Sequence, residues 1–91
     1  MNKIAIESLS MDLLRVAIGY HRGSNKMADV FLKEALKRLS EINKADIKPY
    51  FAKILDKIPT ALSDKDLSYR AENALMYSVL CKNYAKKFIN K

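Results

Sequence analysis

Glycine and proline each occur only twice in this 91-residue chain, as Gly19, Gly23, Pro49 and Pro59. A β-protein of this length would need many tight turns, and the residues that build them are nearly absent. The chain is left with a few long stretches, which favours a few long helices. Hydrophobic residues make up 49% and charged residues 30%, the balance of a globular rather than a disordered protein. The length fits one small domain, which buries only about 60–65% of its unfolded surface and therefore needs an efficient core.

Four segments carry helical periodicity. The first, about 3–21, places Ile6, Leu9, Leu13, Val16, Ala17 and Tyr20 on one face. Ile4, Met11, Leu14 and Ile18 form a second apolar stripe, with Ser8, Asp12, Arg15 and Gly19 as a polar strip between the two. The second, about 25–41, is amphipathic through Ala28, Phe31, Leu32, Ala35, Leu39 and Ile42. The third, about 47–58, lines up Ile47, Tyr50, Phe51, Ile54 and Ile58. Its start has two solutions. With Asn43 as N-cap, Pro49 lies too deep in the helix. With Asp46 as cap, Pro49 falls in the first turn, where its missing N–H is harmless, and this start is preferred. Pro59 is expected to end it.

The fourth predicted helix, about 64–89, begins with Ser63 as N-cap, Asp64 and Asp66 in the first turn, and a Leu62–Leu67 staple. Its main stripe is Leu67, Ala71, Ala74, Tyr77, Ser78, Cys81, Ala85 and Phe88. Ala71, Ala74, Ser78, Cys81 and Ala85 form a small-residue seam that lets a second helix approach closely, in the same chain or in a dimer. Tyr69, Asn73, Met76 and Leu80 form a second stripe. The short connections imply antiparallel neighbours. The expected fold is therefore all-α: a small single-domain, four-helix antiparallel (up-down) bundle, with the first and last helices as the core pair. Their extra apolar stripes exceed what the two other helices cover, which points to a homodimer or another protein as partner.

The residue types exclude much chemistry. Cys81 is the single cysteine and His21 the single histidine, so neither an intramolecular disulfide nor a usual zinc ligand set is expected, and no cofactor is implied. No phosphate-loop spacing follows the glycines. Glu7 and Asp12 interrupt the N-terminal apolar stretch, so no signal peptide is expected. The apolar runs are far shorter than the roughly 20 residues of a membrane span. The expected compartment is the cytoplasm.

Charge marks a second class of partner. With 17 basic and 10 acidic residues the chain carries +7, which suits nucleic acid. His21, Arg22 and Lys26 lie at the first turn, and Lys82, Lys86 and Lys87 near the C-terminus. Residues 36–55 have helix-turn-helix spacing but put Asp46 and Pro49 where a recognition helix would meet the groove. Arg15 and His21, with five residues between them, resemble in spacing the arginine–histidine pair of HEPN ribonucleases. In that family the histidine would shuttle protons and the arginine stabilise phosphate charge. Here Val16 replaces the polar residue that follows the arginine, and the two side chains point about 120° apart on one helix.

The sequence thus leads to a small non-enzymatic interaction module that self-associates. A basic nucleic-acid-binding protein using the 22–26 turn and the C-terminal lysines is the alternative, and a HEPN-like ribonuclease a distant third.

Overall fold

The structure, a computed structural model, describes residues 2–89 and the side chains of residues 3–87. Its elements are α1 (Asn2–His21), α2 (Asn25–Glu41), a 3-10 turn (Lys44–Asp46), α3 (Pro49–Asp56), α4 (Ile58–Ala61) and α5 (Leu67–Tyr84), which continues into a π-helical turn (Ala85–Ile89). The fold is an all-α bundle of four helical units, with α3 and α4 together forming the third.

α1 is the central element and packs against both α2 and α5. Its neighbours run antiparallel to it. Asp12 meets Arg38 and Gly19 meets Ala28 across α1–α2. Ser10 meets Ser78 and Tyr20 meets Arg70 across α1–α5. Ile6, Leu9, Leu13, Val16 and Ala17 are buried, joined in one core by Ala35 and Leu39 of α2, Phe51 and Leu55 of α3, Ile58 of α4, and Ala74, Tyr77 and Cys81 of α5.

The α1–α2 connection follows from local chemistry. Gly23 takes φ 74°, the left-handed conformation that favours glycine. Gly23 N–H then donates to the Tyr20 carbonyl and Ser24 N–H to the Gly19 carbonyl, which closes the end of α1. The Ser24 hydroxyl accepts from Met27 N–H and caps α2. Gly19 and Asp12 do not lie on an exposed polar strip: both are buried. A Cβ at Gly19 would sit 2.8–2.9 Å from the backbone N and Cα of Ala28, so this helix crossing requires glycine.

The third unit departs from one continuous helix over 47–58. Asn43 caps only the 3-10 turn, accepting from Ala45 N–H, and α3 begins at Pro49 rather than after an Asp46 cap. Lys48 N–H donates to the Tyr84 hydroxyl at 2.9 Å, and the Tyr84 ring stacks on Phe51 with centroids 3.9 Å apart. Pro59 does not end the unit but breaks it. Proline cannot donate to the carbonyl four residues back and its ring crowds that carbonyl. α3 therefore stops at Asp56, and Pro59 enters the first turn of α4. The break re-aims the chain so that Leu55, Ile58 and Leu62 are all buried.

The last helix starts at Leu67, three residues later than 64. The Ser63 hydroxyl donates to the Thr60 carbonyl instead of capping. The Asp64 carboxylate accepts from Asp66 N–H, and Asp66 is the N-cap, accepting from Ser68 N–H. Arg70 holds this loop, its Nε and Nη2 donating to the Asp64 carbonyl and its Nη1 to the Tyr20 hydroxyl at 3.0 Å. Leu67 is exposed, so it neither staples Leu62 nor belongs to the core stripe. Phe88 falls outside the described side chains.

Candidate interaction surface

One side of α1 is covered by neither α2, α3, α4 nor α5. Ile4, Glu7, Met11 and Arg15 recur at helical spacing along this ridge. Ile4 is 68% exposed and Met11 49%, while Ser8, Leu14 and Ile18 are half-buried along its flanks. The second stripe of the sequence thus stays open, as the counterpart of the stripe that α1 buries in the core.

A groove runs along each flank of the ridge. The one towards α2 has a volume of about 370 Å³ and is bounded by Ile4, Glu7, Met11, Arg15 and Arg38, with Asp12 in its wall. Asp12 lies 3.4 Å from Arg15 Nη1 and 3.9 Å from Arg38 Nε. Its burial nevertheless raises the carboxyl pKa above the ordinary 3.8, against the pull of the two guanidinium groups and with repulsion from Glu34 in the same direction. Arg15 is held from a second side by Phe31, whose ring centroid is 5.3 Å from the guanidinium carbon. Arg38 Nε is buried without a hydrogen-bond partner.

The groove towards α5 is larger, about 470 Å³, with Met11, Leu14, Ser10 and Ser78 as its floor and Glu7, Lys82 and Lys86 at one end. Leu75 and Val79 follow Ser78 around α5 onto the same open side and are 42% and 48% exposed. Met76 and Tyr69 are exposed on the far side of α5. The open surface therefore combines Met11 and Leu14, which line the groove, with Leu75 and Val79 beside it on α5, and carries Glu7, Lys82 and Lys86 at one end.

The residues singled out by the sequence distribute as follows. Ala71, Ala74, Ser78, Cys81 and Ala85 are all buried within the single chain, so the small-residue seam is used by α1 and is not a surface open to a second chain. His21, Arg22 and Lys26 are exposed at the α1–α2 turn. Lys82, Lys86 and Lys87 lie at the opposite end of a molecule 37 Å long, because α5 runs antiparallel to α1. The basic residues therefore form two separate clusters. The second divides again, with Lys82 and Lys86 at the α1–α5 groove and Lys87 beside Tyr50 and Tyr84. Arg15 and His21 are separated by about 9 Å along the axis of α1, Arg15 engaged with Asp12 and Phe31, and His21 exposed at the last residue of the helix.

Leu75 and Val79 escaped the stripes read from the sequence, although apolar residues four apart between Glu72 and Lys82 mark a helix face of their own. The close approaches at Ser10 and Gly19 carried a weaker signal: small residues on α1 that match Ser78 and Ala28 on its neighbours.

Among the described residues no group of three or more His, Cys, Asp or Glu is placed to hold a metal ion, and no helix is long and apolar enough to cross a membrane. Compared with known protein families, curated proteins and solved structures, the chain matches none.

Proposed function

We propose that this protein is a non-enzymatic helical interaction module that self-associates through the open face of α1 and α5. The observation that carries this reading is the placement of Met11, Leu14, Leu75 and Val79 on adjacent helices around the Ser10–Ser78 contact, outside the core. Exposed apolar side chains scattered singly are ordinary, whereas a contiguous set rimmed by charge is the pattern of a protein–protein contact. A ridge flanked by two grooves also suits the way helices pack, side-chain rows of one entering the furrows of another. Methionine at the centre adapts readily to an apposed surface.

Light scattering over a range of micromolar concentrations tests the reading. Self-association gives a mass that rises with concentration in the parent and stays monomeric in Val79→Lys. A parent that remains monomeric throughout contradicts it. Retention of a random RNA or DNA probe at low salt by a monomeric parent would favour the alternative reading, binding through the two lysine and arginine clusters.

A further inference from the structure

The ridge on α1 is symmetric about Met11. Ridge residues lie three, four and seven positions to either side: Ser8, Glu7 and Ile4 before it, Leu14, Arg15 and Ile18 after it. Any helix face has this spacing; what distinguishes Met11 is the residue types, isoleucine seven positions to either side and an acid and a base four positions to either side. When a helix pairs antiparallel with a copy of itself about a two-fold axis at Met11, position 11 + n faces position 11 − n. Ile4 then stands level with Ile18 and Glu7 with Arg15, each twice, close to the crest of the ridge, whereas Ser8 and Leu14 lie on opposite flanks, towards α2 and α5 respectively.

The same axis also suits α5. The Ser10–Ser78 contact places Met11 level with residue 77 of the antiparallel α5. Around that level, Leu75 faces Val79 and Glu72 faces Lys82 when α5 meets its own copy. All four are exposed. Two helices with independent sequences thus each bring an apolar pair, Ile4 with Ile18 and Leu75 with Val79, and an acid–base pair, Glu7 with Arg15 and Glu72 with Lys82, level with each other about one axis. On α1, Arg15 is held in place by Asp12 and Phe31, with Arg38 beside it.

We infer that the partner is a second copy of this chain, bound as a two-fold dimer with α1 antiparallel to α1 about Met11, pairing Glu7 with Arg15 of the partner subunit and Glu72 with Lys82 of the partner subunit. This rests on the self-association proposed above and fixes its register.

Charge reversal tests it. Glu7→Arg alone sets two arginine pairs against each other across the dimer, and Arg15→Glu alone sets two glutamate pairs. Each single variant weakens the homodimer by about tenfold or more. Mixed in equal amounts, the two variants form a heterodimer. One subunit is then basic at both positions and the other acidic at both, so every contact across the axis again joins opposite charges. Glu72→Lys with Lys82→Glu repeats the exchange at exposed positions on α5, should loss of the Asp12–Arg15 contact unfold the first pair of variants. Native mass spectrometry with one variant carrying a mass tag reads the heterodimer directly. Preferential heterodimer formation supports the register. A parent dimer that the single reversals leave unchanged, or whose variants mix at random, overturns the register while leaving self-association intact. A monomeric parent overturns both.

Discussion

Ser10 and Ser78 bond each other's helices reciprocally: the Ser10 hydroxyl donates to the Ser78 carbonyl and the Ser78 hydroxyl to the Ser10 carbonyl, both at 2.8 Å. The two side chains are buried and bridge α1 directly to the backbone of α5. This contact sets how closely the helices approach and which residues of α5 stand level with those of α1. The two hydroxyls also lie 3.4 Å from each other, so the bonds form one small network; Ser10→Ala and Ser78→Ala are each expected to lose about 0.5–1.5 kcal/mol. Because the two side chains touch, the double variant should depart from the sum of the single losses in urea denaturation. Ser78→Leu, which forces the helices apart, should cost more than both together. A Ser78→Leu variant as stable as the parent would show that the close approach is not required.

Gly19 and Gly23 are both needed, for different reasons, and substitution separates them. At Gly23 there is open space around an added Cβ, and only the left-handed backbone resists it, which costs about 1–2 kcal/mol in Gly23→Ala. At Gly19 the added Cβ meets the backbone of Ala28, and overpacking of this kind costs about 1–3 kcal/mol. Ala28→Gly removes one of the three nearby atoms and leaves the backbone contacts, so it should not restore Gly19→Ala. Full rescue in thermal melts would contradict the geometry.

Asp12 gives stability a defined dependence on pH. Burial raises its folded pKa above 3.8, outweighing Arg15 and Arg38. The native chain then holds that proton more readily than the unfolded chain. The associated stability is complete below 3.8 and is lost as pH rises through the raised value. Asp12→Asn, which keeps the shape of the neutral form, should flatten this part of the profile and be no less stable than the parent at neutral pH. A loss above about 1 kcal/mol in urea midpoints at neutral pH would mean that the ion pairs outweigh burial after all.

Cys81 is fully buried, and burial pushes its thiol up to about 12. In native buffer it should resist alkylation, with labelling limited by opening of the α1–α5 packing rather than by thiol chemistry. Labelling at the rate of a free thiol would place α5 outside the core.

The pattern of residues carried the long helices far into the correct structure, because burying one face of α1, α2 or α5 imposes the 3.6-residue period directly. The breaks were less legible. Pro59 interrupts α3 through the carbonyl of Leu55, yet whether the chain stops or turns into α4 depends on the core available to Leu55 and Ile58. The cap of α5 passes from Ser63 to Asp66 because Thr60 takes the Ser63 hydroxyl and Arg70 holds Asp64, competitions settled by tertiary contact. At the candidate surface, the α1 stripe of Ile4, Met11, Leu14 and Ile18 was visible as surplus apolar area. Asp12 belongs to the polar strip by its residue type, and its burial, with Arg38 of α2 against its carboxylate, is set by tertiary packing; Leu75 and Val79 gain meaning only once Ser78 fixes the level of α5 against α1.

Sedimentation equilibrium of the parent chain beside Met11→Glu tests the account most directly. Met11 lies at the centre of the open face, where a second copy would bring two such residues together. The account predicts a parent mass approaching twice 10.4 kDa with rising concentration, and a Met11→Glu variant that keeps its helical spectrum and stays at 10.4 kDa. A parent fixed at the monomer mass, or a variant that associates as strongly as the parent, would contradict it.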